Sequence, residues 1–171
     1  MGMPATIFVV GSSVGSKTNY KNTNYPITPH FNYEEAMEME ESGLISIQSH
    51  TYDMHQWAPY ESGEVIRESA KKLENETESE FIEALKADFE NLSLDVKENL
   101  NKEITVVAYP HGEYDTLSNV ILNELGIKIT LGTNAANNTI IKGLPQSLIG
   151  LNRYNISENV SKEQLIEYLE K

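Results

Sequence analysis

Four short apolar runs, spaced by stretches of helical periodicity and by polar loops, limit what this chain can fold into more than any other feature. Residues 5–10 (ATIFVV, from Ala5 to its last residue Val10), 44–49 (LISIQS), 104–109 (ITVVAY) and 127–131 (IKITL) are rich in β-branched residues and lie beside Gly, Pro or polar turns. That is the composition of buried strands. Between the first two runs comes a long loop, 11–30, rich in Gly, Ser, Asn, Thr and Pro. Asn32 then stands where it caps a helix over Tyr33–Glu41, with Tyr33, Ala36, Met37 and Glu40 at helical spacing and Gly43 as the stop. Phe81, Leu85, Phe89 and Leu92 recur every three to four residues, so a second helix is predicted there. The acids and lysines between them read as its solvated side. Leu117, Val120, Ile121 and Leu125 mark a third helix, stopped by Gly126. A fifth strand is expected within 148–156, and Ser161 caps a last helix carrying Leu165, Ile166 and Leu169. Such alternation predicts an α/β fold with a largely parallel sheet or barrel, in one domain over residues 1–171. Folds of this kind gather their sites at the carboxyl ends of the strands.

Composition narrows the partners. With 26 acids against 13 bases the formal net charge is −13, which repels phosphate backbones and anionic lipid surfaces. A neutral or cationic ligand remains compatible. No run of 18 apolar residues is present, so no membrane span is expected. The opening MGMPATIFVV lacks a basic region and a small-residue cleavage site, and reads as the start of a strand rather than a signal peptide. The absence of cysteine excludes disulfides and thiolate metal sites.

Two motifs fall at predicted strand ends. The first is SHTYDMH, with His50 at the end of the second run and His55 in the loop beyond. Positions five apart diverge on a helix and face opposite sides of a strand, so the two imidazoles meet only if residues 51–54 turn. This excludes the helical H-E-x-x-H arrangement. A shared divalent metal (Zn, Ni, Co or Fe) is one reading of the pair, and two loop histidines that are neighbours by accident is the other. The second motif is AYPHGEYD, 108–115, where Pro110 and Gly112 constrain a tight turn. Amides of His111 and Gly112 pointing into a barrel mouth would stabilise a developing oxyanion. An ordinary Pro-x-Gly turn has the same sequence.

In combination and order these stretches resemble the polysaccharide deacetylase family, the NodB-homology or carbohydrate esterase family 4 domain. MPATIFVVG resembles its second strand, SGLISIQSHTYDMH its metal-histidine motif and AYPHGEY its proline-glycine oxyanion motif. The wide spacing in SHTYDMH is similar to the branch that deacetylates poly-N-acetylglucosamine, and LNRYNIS resembles the strand near that branch's end. The resemblance implies a distorted (β/α) barrel, incomplete here because the first strand is lacking. It implies metal-dependent hydrolysis of N-acetyl groups from an amino-sugar polysaccharide, releasing acetate, outside the cell or in its envelope. His50 and His55 would ligate a divalent metal, Zn first. The His111 amide would hold the oxyanion, and Tyr109, Pro110 and Trp57 would contact the glycan, with Tyr60 beside them. Asp53 either orients a histidine from behind or simply forms the turn.

The chain departs from the family pattern in two places. The Phe-Asp-Asp-Gly stretch that supplies a base and a third ligand is absent, since the aspartates are Asp53, Asp88, Asp95 and Asp115, none adjacent. No histidine follows His111 to act as the general acid. The expectation is a domain shortened at its N-terminus, with a weakly held metal and little activity. Its unpaired edge, 5–10, would invite a homodimer. Rival readings are a non-catalytic glycan-binding module, a metallohydrolase using Glu113 or Asp115, and a purely structural role.

Overall fold

The computed structural model describes residues 2–21, 23–61, 63 and 65–170. Among these, β1 (Ala5–Val9), β2 (Ile45–Ser49), β3 (Val106–Ala108) and β4 (Ile129–Leu131) form one sheet in the order β1-β2-β3-β4. Every pairing is parallel. A parallel neighbour requires the chain to cross back to the same end, and helices make each return. They are α1 (Tyr33–Glu41), α2 (Glu78–Leu100) and α3 (Thr116–Glu124), followed later by α4 (Lys162–Glu170). The sheet is an open α/β sheet with β1 at one edge, an incomplete barrel rather than a closed one.

Local sequence sets where the helices begin. Asn32, Thr77 and Asp115 each accept the N–H three residues on, and Glu35, Glu80 and Ser118 reach back to the cap. Each pair satisfies two donors that the first turn would leave orphaned. α1 and α3 stop before Gly43 and Gly126, whose φ values of +68° and +95° suit glycine.

α2 lies between α1 and α3 against the sheet. Phe81, Leu85, Leu92 and Val96 on it are at most 1% exposed, and pack in one cluster with Val9, Ile47, Val107 and Ile121. Burying each such side chain is worth about 1.5–3 kcal/mol. Strand alternation turns Thr6 and Phe8 to the other, uncovered face. The register Val9↔Ser49, Ser49↔Val107, Val107↔Thr130 brings all four carboxyl ends level.

Several expectations are corrected. The third strand begins at Val106 rather than 104, because the Gln48 side-chain oxygen takes the Thr105 and Val106 amides at 3.1 Å each. The fifth strand within 148–156 is only a bridge, Leu151 to Leu131. Pro145 opens a short 3-10 turn there, and Gly150 takes φ +71° against the Tyr114 ring, where a Cβ would lie 2.5 Å from the hydroxyl. Met37 and Val120 are exposed although they share helical spacing with buried neighbours. Asp88, expected with the other acids of α2 on its solvated side, is buried. Ser161 does cap α4 through Gln164, but Leu165, Ile166 and Leu169 stay exposed. Among the described residues no helix is long and apolar enough to cross a membrane.

Candidate active site at the carboxyl end of the sheet

The loop after β2 turns as the histidine spacing requires. His50 N–H still continues the sheet, donating to Val9 O at 2.8 Å. Thr51 then reverses the chain with φ +73°, a region that β-branched residues rarely occupy. Its carbonyl accepts Gly11 N–H at 3.1 Å, and that of Tyr52 accepts Ser12 N–H at 2.9 Å. The Tyr52 and Asp53 amides both donate to Asp88 at 2.7 Å. Met54, 2% exposed, roots the end of the turn in the core. The result is that the His50 and His55 ring centres stand 5.1 Å apart, with the His111 ring 4.6 Å from that of His55.

His50 Nδ1 lies 2.5 Å from the Ala108 carbonyl. A carbonyl only accepts, so Nδ1 carries the proton and Nε2 keeps its lone pair. Burial pushes the His50 pKa down to about 4, against the pull of that carbonyl and helped by the neighbouring His55, Arg153 and His111. Burial, then His111, also lowers His55. Both rings are therefore neutral at pH 7, the form that binds metal. Two imidazoles sharing a tetrahedral ion, with nitrogen–metal distances of about 2.0–2.1 Å, have ring centres roughly 5 Å apart. The pair fits a divalent ion in spacing and donor chemistry. Among the described residues, however, no group of three His, Asp or Glu is arranged to hold one.

The second motif forms a 3-10 turn, Pro110–Gly112, directly after β3. His111 has φ +54° and Gly112 φ +71°, and a Cβ on Gly112 would meet the Thr133 amide nitrogen at 2.6 Å. Only glycine fits. The Gly112 N–H donates to Tyr109 O at 2.9 Å and so is spent within the turn, contrary to expectation. The His111 N–H has no backbone acceptor among the described residues, and Thr133 Oγ1 steadies the His111 carbonyl at 3.1 Å.

A concavity of about 460 Å³ opens here, lined by Thr6, Phe8, His50, His111, Thr133 and Arg153. A larger groove of about 850 Å³ runs beside α3, but it is walled by Val120, Ile140, Ile141 and Leu144 and lacks histidines and acids. The histidine concavity is the one equipped for chemistry. Arg153 enters it from the C-terminal segment, its Nε donating to Gly132 O at 2.7 Å. Sequence spacing gave Arg153 no role; a lone cation inside the apolar run LIGLNRYNI was the available signal.

Most of the other expected site residues are engaged away from the concavity. Asp53 does not meet a histidine: its carboxylate accepts from Ser12, Lys21 and Gln56 at 2.7–3.1 Å. Pro110 is fully buried and does not line the concavity; Tyr109 does line it, although its ring is stacked on Tyr114 and its hydroxyl donates to Asn119 Oδ1 at 2.8 Å. Trp57 is half exposed in a cluster with Tyr25 and Tyr60, outside the residues lining the concavity. Asp115 caps α3 and accepts the Lys72 amide, while Glu113 pairs with Lys71 at 3.5 Å. Neither carboxylate joins the histidines.

The sequence profile of the polysaccharide deacetylases matches residues 1–130, and the chain belongs to that family. Solved structures with this fold include a de-N-acetylase from Aggregatibacter actinomycetemcomitans, at 20% identity and TM-score 0.74, over 96% of this chain and 64% of that one. IcaB from Ammonifex degensii is 21% identical with TM-score 0.66, over 98% of this chain and 62% of that one. The deacetylase PplD of Streptococcus pyogenes, solved with acetate, is 22% identical with TM-score 0.62, over 99% of this chain and 60% of that one. The chain thus spans less than two thirds of each of these structures. No curated protein matches it in sequence.

Proposed function

We propose that this chain is a metal-dependent deacetylase domain that removes N-acetyl groups from an amino-sugar polysaccharide of the cell envelope, and that on its own it works slowly. The observation that carries this is the pairing of two neutral imidazoles, His50 and His55, at 5.1 Å beside the His111 turn. His50 and His55 would hold a divalent ion through nitrogen, zinc first, with Ni, Co or Fe as alternatives. Such an ion, when bound, polarises an acyl carbonyl and lowers the pKa of water. The chain's own residues do the rest. The His111 N–H is the donor left for a developing oxyanion, and the bond from Thr133 to the His111 carbonyl keeps that turn in place. Arg153 adds fixed positive charge next to His50. The described residues bring no carboxylate to the histidines, which leaves the ion one ligand short and the water without a base. Weak metal affinity and low turnover follow.

Acetate release from N-acetylglucosamine oligomers tests this. Added Zn²⁺ or Co²⁺ is expected to raise the slow rate, and His50→Ala with His55→Ala to abolish it. A rate unchanged by the double substitution sinks the assignment. The exposed cluster of Tyr25, Trp57 and Tyr60, with ring centres 4.0–6.1 Å apart, supports a second reading as a glycan-binding module. Oligosaccharide binding that survives chelation, without acetate release, would favour it. The edge strand β1, which among the described residues pairs only with β2, would serve as the contact of a homodimer. Light scattering that gives a monomer at high concentration would exclude that assembly.

A further inference from the structure

Asp88 stands on α2 within the stripe of Phe81, Leu85, Leu92 and Val96, and is 9% exposed. Its two oxygens divide two donors, Oδ2 taking Tyr52 N–H and Oδ1 taking Asp53 N–H, each at 2.7 Å. Among the described residues no Lys or Arg forms an ion pair with it, and the nearby Arg67 is engaged by Glu76. Keeping a carboxylate buried without a cation is costly, and an apolar residue at this stripe position would pack without that cost. Burial accordingly pushes the Asp88 pKa up to about 6, against the pull of the two amides. What Asp88 supplies in return is a pair of acceptors for two amides that have no other among the described residues.

Those amides lie in the middle of the turn that joins His50 to His55. On the opposite side of the same turn, the Thr51 and Tyr52 carbonyls are held by Gly11 and Ser12. The turn is therefore clamped between the 3-10 segment after β1 and the middle of α2, around a Thr51 in the left-handed region. Take Asp88 away and one jaw of the clamp opens, leaving two donors unsatisfied.

We infer that Asp88 is the positioning residue of this site: by holding the Tyr52 and Asp53 amides it sets the separation of the His50 and His55 rings, and through it their grip on a divalent ion. The consequence for metal rests on the deacetylase reading above; the positioning of the rings does not.

Asp88→Asn is the informative variant, because it keeps the shape while turning one acceptor into an NH₂ that faces a backbone donor. Calorimetric titration of the full chain with Co²⁺, followed by the visible absorption of the bound ion, is expected to show at least about tenfold weaker binding. Glu90→Gln, on the exposed side of α2, removes the same charge and is expected to stay within about twofold of wild type. Where the wild type binds Co²⁺, equal affinity of Asp88→Asn and wild type, or an equal loss in Glu90→Gln, overturns the inference. Metal-free NMR separates it from the metal reading. In the wild type the two rings are expected to show a nuclear Overhauser contact and the Tyr52 and Asp53 amides to exchange slowly; in Asp88→Asn both are lost. If the wild type binds no Co²⁺ yet that pattern holds, the metal reading falls and the positioning role stands. Retention of the ring contact in Asp88→Asn overturns the role. Should the variant fail to fold, the wild-type amides decide: exchange as fast as in exposed loops overturns the role, and exchange as slow as in α2 supports it.

Discussion

Up to Gly132 the chain buries Phe81, Leu85, Leu92 and Ile127 to 1% exposure or less, whereas no described residue after Gly132 is buried. The family profile ends in nearly the same place, at residue 130. The two regions divide the work. The first makes a sheet, a helical layer and the clamped histidine turn, and would be stable through its own core. The second adds almost nothing to that core but delivers Thr133 and Arg153 to the concavity. It also leaves apolar surface uncovered, on α4 at Leu165, Ile166 and Leu169 and along the groove at Ile140, Ile141 and Leu144. The core thus comes from the first stretch alone, whereas the site draws on both, and substitutions in the two should fail in different ways.

The largest expected effect breaks the first region. Phe81→Ala should cost about 3–5 kcal/mol of unfolding free energy, read by urea denaturation, whereas Leu169→Ser in α4 should stay within about 0.5 kcal/mol. A comparable loss from Leu169→Ser would show that the second region is part of the same cooperative core.

The next effect concerns pH. Asp88 has its pKa raised from 3.8 to about 6 in the fold, so between those values the folded state binds more protons than the unfolded. Its contribution is fully present below about pH 4 and is lost as pH rises through about 6, a change of roughly 3 kcal/mol at most. Denaturation of wild type against Asp88→Asn across pH 4 to 7 should therefore show the wild type losing ground as pH rises. A difference independent of pH would mean that Asp88 is not desolvated in solution.

The smallest stability effect should come with the clearest loss of function. Gly112→Ala forces a Cβ toward the Thr133 amide and places alanine at φ +71°. About 1–2 kcal/mol of stability is at stake. Displacing the His111 donor should lower acetate release about 100-fold or more, if that amide holds the oxyanion. Activity kept intact would assign the oxyanion to another donor.

The parts of this picture that were legible in the sequence are those set by neighbours in the chain. The capping oxygens at Asn32 and Ser161, the stops at Gly43 and Gly126, and the turn demanded between His50 and His55 follow from local spacing. What spacing cannot supply is the partner across the fold. Asp88 lies seven residues after Phe81 and three after Leu85, so it shares their stripe, yet nothing local reveals that it faces two loose amides 35 and 36 positions away. Nearness in sequence leaves Asp53 either orienting a histidine or forming the turn, and does not reveal that Ser12 and Lys21 take its carboxylate. The Gly112 amide looked free until the turn closed on Tyr109. The segment 148–156 had strand composition, but the Gly150 turn against Tyr114 prevented a ladder.

The contact between His50 Nδ1 and the Ala108 carbonyl has a consequence for how this site would be mapped. Every residue type at position 108 carries the same carbonyl, so no side-chain substitution removes it directly. An alanine scan would pass over the group that fixes the His50 tautomer. That tautomer is instead a property of where β3 lies against β2. It would be lost through distant changes that slide one strand along the other, recorded as unexplained losses of a histidine that itself was never touched.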